Sequence, residues 1–353
     1  MSEKKVTVVV PVFNVERYLR ECLDSILSQS LEDIEVICGD GGSTDGSLSI
    51  IEEYMARDSR VRCISKEGSG YGQSLNDCIR AASGEYIGIV ESDDIVKPGM
   101  FERLYSLAKG NDLDWIRSDI FFFYSERPIE RRLVRESIVY GAPIYGKVLN
   151  PQEDYGPYKS GMRTWSGIYR RSFLIYNDIW HNETPGGSYQ DVGFYLKTLY
   201  YATRVYFLDE AFYMWRQDNP GSSIHYDEAK LVAKSFREWE LNREYLEEKG
   251  LGPRAYASYN YRKFYSYKWT VEMTSGELRE STAARARSEL QAALDNGEID
   301  RGFFTDSEWD LFVLFLRTGK TSSFGSRWRD FSRNNPGIRK KVSRVYGRIV
   351  RHE

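Results

Sequence analysis

Within the first 125 residues, a short apolar, β-branched run gives way four times to a segment whose apolar side chains recur at helical spacing. Val6 to Phe13 leads into Val15, Tyr18, Leu19, Cys22, Leu23, Ile26 and Leu27, which share one face at 3.6 residues per turn. Ile34 to Cys38 leads into Leu48 to Met55, Val61 to Ser65 into Leu75, Cys78, Ile79 and Ala82, and Tyr86 to Val90 into Phe101 to Ala108. A further strand runs near Trp115 to Tyr124. Unbroken apolar runs suit strands buried on both faces, as in a parallel sheet covered by crossover helices. Such crossovers are right-handed in nearly all folds, so successive strands turn their carboxyl ends to one edge, where ligands bind. The chain is therefore expected to be α/β, with its chemistry just after the strands.

Three segments at that edge are polar, acidic or glycine-rich. Glu91-Ser92-Asp93-Asp94 follows the fourth strand, and carboxylates clustered so closely repel one another unless a cation or donor groups hold them. It reads either as a site for a hard divalent metal or as a solvated loop capping the helix that begins near Pro98. Gly39-Asp40-Gly41-Gly42-Ser43-Thr44-Asp45-Gly46 permits close backbone approach and could hold a nucleotide, or be an ordinary strand-to-helix turn. Gly68-Ser69-Gly70-Tyr71-Gly72 lacks the spacing of a dinucleotide fingerprint, which follows the first strand with an acidic residue about 20 positions on.

Composition narrows the partners. A net charge of −3 argues against binding nucleic acid, which usually shows as a strongly basic domain. The longest apolar stretches, Val6 to Phe13 and Leu311 to Leu316, fall far short of the roughly 20 residues that cross a bilayer. Met1 to Lys5 lacks a signal peptide's pattern, so a cytoplasmic location is expected. Cys22, Cys38, Cys63 and Cys78 match neither zinc-site nor redox-pair spacing and read as reduced core thiols. From Pro128 to about Gly187 the pattern weakens, which suggests irregular structure over the sheet. From Tyr226 onward the chain reads as helices, with a tyrosine-rich stretch from Tyr256 to Trp269 that could form a core or a homodimer interface. Residues 326–353 carry nine basic residues against Asp330 and Glu353, interleaved with apolar ones. They form either a basic amphipathic segment on the anionic inner face of the cell membrane or a solvated terminal helix.

Val8-Val9-Val10-Pro11-Val12-Phe13-Asn14-Val15-Glu16, then Asp40-Gly-Gly-Ser-Thr-Asp-Gly-Ser47, then Glu91-Ser-Asp-Asp94, in this order and spacing, resemble an inverting family 2 glycosyltransferase. The resemblance covers the first 110 residues closely. It implies a GT-A fold, a Rossmann-like, mostly parallel α/β sheet with a helical C-terminal region. The implied division is 1–225 for the transferase domain (1–125 nucleotide-binding, 126–225 acceptor and catalytic base), 226–320 for a helical domain and 321–353 for the basic tail. Pro11, Phe13, Glu16, Asp40, Glu91 and Ser92 would then bind the nucleotide of a nucleotide-sugar donor, with uridine the family default. Asp93 would hold Mn²⁺ or Mg²⁺ on the diphosphate. Glu91 replaces the more usual Asp, and Gly41 stands where a second Asp is common.

Asp191, at the start of an amphipathic helix (Val192, Tyr195, Leu196, Leu199), corresponds to the family's catalytic base, with a helix cap as the alternative. One base suffices, because a metal-neutralised diphosphate leaves without a proton donor, unlike the alkoxide of glycosidases. His225 is either a third metal ligand or a structural loop residue, Arg216 a candidate for the phosphates, and Trp165 either an acceptor-side aromatic or core. The acceptor implied is a saccharide or lipid-linked glycan. The substitutions at residues 41 and 91 leave a second reading, a nucleotide-sugar or glycan-binding protein that has lost catalysis.

Overall fold

The computed structural model describes residues 4–139, 144–187, 189–221 and 227–321. Two compact units divide the chain, Met1–Leu251 and Gly252–Glu353. The alternation of the first 125 residues becomes β1 (Val6–Val12), α1 (Glu16–Leu27), β2 (Ile34–Asp40), α2 (Ser47–Arg57), β3 (Val61–Ser65), α3 (Tyr71–Ala81), β4 (Tyr86–Ile89), β5 (Ile95–Val96), α4 (Met100–Gly110) and β6 (Trp115–Phe123). Every residue of β1 and β2 is buried. On α1, Tyr18, Leu19, Cys22, Leu23 and Ile26 form the buried stripe that the spacing predicts. Leu19, Leu23 and Ile26 each contribute about 1.5–3 kcal/mol by burial. The four cysteines are unpaired, and Cys22, Cys38 and Cys78 are buried.

Beyond Pro128 the first unit continues through β7 (Leu133–Glu136), β8 (Val148–Leu149), β9 (Gly167–Arg170), α5 (Arg171–Tyr176), α6 (Gln190–Tyr201), β10 (Val205–Arg216) and α7 (Glu228–Glu248). Strand order in the main sheet is β3-β2-β1-β4-β9-β6-β10-β5, with β7 on β6 and β8 on β10. The pairs β1/β2, β2/β3, β1/β4 and β6/β10 are parallel. β9 is antiparallel to both β4 and β6. The segment expected to be irregular therefore also supplies a central strand, too short at four residues for its period to stand out.

Register fixes the working edge. Val12 ends β1 opposite Asp40 at the end of β2, and Asp40 lies opposite Ser65 at the end of β3. β4 runs beside β1 with Ile89 opposite Val9, so Glu91 emerges on the same side. β10 carries register irregularities between Leu208 and Tyr213, and bulges of this kind re-aim the residues that follow. Its far end pairs antiparallel with β5, immediately after the acidic loop.

The unit boundary falls after Leu251 rather than at residue 225, so α7 belongs with the sheet. Asn182 explains why: its Nδ2 donates to Glu238 Oε1 on α7 at 2.6 Å, and its Oδ1 accepts from Lys197 Nζ on α6 at 2.8 Å.

The second unit contains α8 (Pro253–Glu272), α9 (Gly276–Asp295) and α10 (Asp306–Thr318). Tyr259, Tyr261, Phe264 and Tyr267 of the tyrosine-rich stretch are buried. Phe264 meets Phe312 and Phe315 with ring centroids 5.2 and 5.7 Å apart, and Tyr267 donates to Glu289 at 2.6 Å. Much of this stretch is thus core, while Trp269 stays 41% exposed. A capping box of Thr305 and Glu308 starts α10. No helix among the described residues is long and apolar enough to cross a membrane.

Candidate active site

The turns after β1 and β2 lock into one another. Asn14 sits in the left-handed region at φ 49°. Its Oδ1 accepts from Thr44 N–H at 2.8 Å, and its own N–H donates to Ser43 Oγ at 3.0 Å. Val15 N–H donates to Ser47 Oγ at 2.9 Å, Glu16 N–H to Asp45 Oδ2 at 3.0 Å, and Gly46 N–H to Glu16 Oε2 at 2.6 Å. Asp40 is buried, and its carboxylate accepts from Gly42 N–H, Ser43 N–H and Ser65 Oγ at 2.9–3.2 Å. Pro11 is buried in β1 opposite Gly39, whereas Phe13 is 63% exposed. Glycine at 41 has a steric cause: a Cβ there would fall 2.8 Å from the Ser69 carbonyl oxygen and 3.6 Å from Phe13.

The acidic loop between β4 and β5 is held by β10. Tyr213 Oη donates to Asp94 Oδ2 at 2.7 Å and accepts from Glu91 N–H at 3.0 Å. Arg216 N–H donates to Asp94 Oδ1 at 2.7 Å, so both oxygens of buried Asp94 are held within the protein. Arg216, itself 2% exposed, spends its guanidinium on the Asp93 carbonyl (2.7 Å) and Glu21 (2.5 Å). It shapes the acidic loop from behind rather than standing free toward a phosphate. Asp93 accepts from Asn219 Nδ2 at 2.7 Å through Oδ2, and among the described residues its Oδ1 has no hydrogen-bond partner. Ser92 is buried, while Glu91 is half-buried and accepts from Tyr71 Oη at 2.5 Å. Burial pushes the Glu91 carboxyl up to about 8; the Tyr71 hydrogen bond opposes this, and the charges of Asp93 and Asp191 add to it.

Among the described residues there is no group of three or more His, Cys, Asp or Glu side chains that could hold a metal. One carboxylate with an open oxygen fits the way Mg²⁺ and similar hard cations bind, through one or two carboxylates plus substrate phosphates rather than an all-protein cage. His225 lies outside the described residues, as does the basic segment 326–353.

Asp191 stands in the first turn of α6, where the helix dipole favours negative charge. Its Oδ1 accepts from Val192 N–H at 3.0 Å. Burial nevertheless raises its carboxyl to about 6, against the pull of the Val192 and Asp191 N–H groups and the charge of Arg117. The charge of Asp191 reaches Glu91 and adds to the rise of that carboxyl, although 100 positions separate the two in sequence. Trp165 is buried 4.2 Å from the ring of Tyr213 and 5.6 Å from that of Trp215, so it supports β10, whose residues hold the acidic loop. Tyr71, Tyr213 and Asn219 are the site residues that sequence reasoning missed. The glycine group around Tyr71 was the one visible sign.

Residues 7–174 match the family model described as glycosyl transferase family 2. The uncharacterized glycosyltransferase EpsJ of Bacillus subtilis (strain 168) is 34% identical over 223 residues, 62% of each chain, so less than two thirds of that relative is covered. The crystal structure of S. aureus TarS 1-349 in complex with UDP-GlcNAc shares the fold at 19% identity, with a TM-score of 0.53 over 83% of this chain and 92% of that one. A mannosyltransferase from Pyrobaculum calidifontis, PcManGT, in complex with GDP-Man and Mn²⁺, matches at 15% identity with a TM-score of 0.50 over 88% and 84%.

Proposed function

We propose, from the match of residues 7–174 to the model described as glycosyl transferase family 2, that this chain is an inverting glycosyltransferase using a nucleotide-diphosphate sugar, by default a UDP-sugar. The observation that carries the reading is the convergence of the acidic loop, the clamped turns after β1 and β2, and the half-buried carboxylate of Asp191. The turns around Asp40 and Glu16 receive the nucleoside beside exposed Phe13. Asp93 and Glu91 would face the diphosphate, and Asp93 would hold Mn²⁺ or Mg²⁺ through its open oxygen. The bound cation supplies charge neutralisation on the diphosphate as it leaves. Asp191 takes the proton of the acceptor hydroxyl while that oxygen attacks the anomeric carbon from the side opposite the diphosphate, so the configuration inverts. No second carboxyl is required, since the leaving group departs as an anion.

The acceptor is a hydroxyl of a saccharide or lipid-linked glycan. The basic run 326–353 supports placement at an anionic membrane face, each basic residue adding about 1 kcal/mol near such a surface.

Asp191→Asn tests the reading. Donor binding should survive while transfer falls by about 10²- to 10⁴-fold, the usual contribution of a positioned base. Unchanged transfer would remove Asp191 from the role. Nucleotide-sugar binding with no transfer by the parent chain to any saccharide would favour the binding-protein alternative that Glu91 and Gly41 motivate.

A further inference from the structure

The glycine group Gly68–Gly72 has no part in donor binding or proton transfer as proposed, yet it is the seam along which α3 meets the segment leading into α6. A Cβ at Gly70 would fall 2.7 Å from the Thr184 carbonyl oxygen, and one at Gly72 would overlap the Asn182 carbonyl. Both obstacles are backbone, so neither can swing aside. Between the two glycines, Tyr71 reaches in two directions. Its N–H donates to the Gly186 carbonyl at 3.1 Å, and its Oη donates to Glu91 in the acidic loop at 2.5 Å. The same Gly186 carbonyl accepts from Gln190 Nε2 at 3.2 Å, and Gln190 also donates to Thr184 Oγ1 at 2.8 Å. Gln190 is the residue before Asp191. On its other side the Tyr71 ring meets His181 edge-on at 6.1 Å, and His181 stacks on Phe194 of α6 at 4.1 Å and 6°. Two contact routes thus run from Glu91 through Tyr71 to the first turns of α6.

We propose that Tyr71 is a positioning residue that ties the acidic loop to the segment bearing Asp191, setting the distance between the donor's diphosphate and the proton acceptor. The inference rests on the transferase reading. A group of this kind acts on the rate more than on donor affinity, because a 1 Å misplacement of the reacting atoms can cost about 10²-fold while ground-state contacts stay intact.

The test is Tyr71→Phe, which removes one oxygen and keeps the ring against His181. Calorimetry with UDP, GDP, dTDP and CDP, each with Mn²⁺, gives the nucleotide affinity. Release of nucleoside diphosphate from the matching sugar conjugate, with water as acceptor, gives kcat and KM. The expected result is a kcat lower by about tenfold or more, with nucleotide affinity and KM within about threefold of the parent. In a Glu91→Gln background, Tyr71→Phe should then cost less than about twofold further, because the two residues act as one unit. Hydrogen exchange decides the matter without turnover: bound nucleotide and Mn²⁺ should slow exchange over 184–192 in the parent and fail to do so in Tyr71→Phe. Unchanged kcat, a KM that rises in step with the fall in kcat, or equal exchange protection in both chains would overturn the inference while leaving the transferase reading standing. Failure to bind any of the four nucleotides would overturn the transferase reading, and the inference with it.

Discussion

The two halves of the site use their carboxylates in opposite ways. In the cradle after β1 and β2, Asp40, Asp45 and Glu16 accept backbone N–H groups, and buried Asp40 has three donors within 3.2 Å. Across the edge, burial raises Glu91 to about 8, Asp191 to about 6, and Asp94 well above the usual carboxylate range. The cradle is satisfied as it stands, so a nucleoside bound there as proposed would meet a preformed surface with little ordering cost. The acidic edge crowds carboxylates together and leaves Asp93 Oδ1 open, which a cation-bearing diphosphate would offset. A binding surface gains from finished hydrogen bonds; a reacting surface keeps some unfinished.

Breaking the cradle should have the largest effect. Asp40→Ala strands the Gly42 and Ser43 N–H groups and the Ser65 hydroxyl, and each buried unpaired group costs about 1–3 kcal/mol. Chemical denaturation should show a loss on the order of 3 kcal/mol, with nucleotide affinity falling alongside. A loss under about 0.5 kcal/mol would mean that the cradle is not held by Asp40. Gly72→Ala attacks the seam instead. Overpacking against the Asn182 carbonyl should cost about 1–3 kcal/mol in the same experiment, and an unchanged midpoint would show that the two segments part freely.

The acidic edge is sharpened by pH. Asp191 must be ionised to accept a proton, and its value near 6 means that it is neutral below that pH. Measured kcat/KM should therefore fall about tenfold per unit below pH 6 and level off above it. A break near pH 4 would instead assign an ordinary exposed carboxylate. Stability carries the opposite sign. Because the folded value is raised, the carboxyl's stabilising contribution is full below its unfolded value near 4 and is lost as pH rises through about 6. Asp191→Asn should thus melt above the parent at pH 8 while failing to transfer sugar; a lower melting temperature at that pH would contradict the raised value of its carboxyl. The smallest effect on stability is expected at exposed Phe13: Phe13→Ala should change it by less than about 0.5 kcal/mol and still weaken nucleotide binding in calorimetry. Unchanged binding would remove Phe13 from the cradle.

The parallel core was legible because strands such as Val6–Val12 are uniformly apolar and α1 repeats its buried stripe over three turns. The loops that follow them stood out by composition alone. β9 was not legible, since four residues inserted antiparallel between β4 and β6 carry no period. The same limit hid Tyr71, Tyr213 and Asn219, whose roles exist only where β10 and α3 come against the acidic loop. Arg216 was visible as a cation, but nothing in the sequence shows it buried against Glu21 and Asp93. Placing the boundary at residue 225 assigned α7 to the helical region, whereas its Glu238 meets Asn182 across 56 positions.

The central claim is that this edge binds a nucleoside diphosphate together with its cation. Thermal unfolding with UDP, GDP, dTDP and CDP, each with Mn²⁺, Mg²⁺ or chelator, tests it most directly. One nucleotide with metal should raise the midpoint, by about 2.7 kcal/mol of stabilisation at 100 times its Kd. Metal alone should shift it little, since Asp93 offers a single open oxygen. No shift with any nucleotide, or an equal shift with metal alone, would contradict the account.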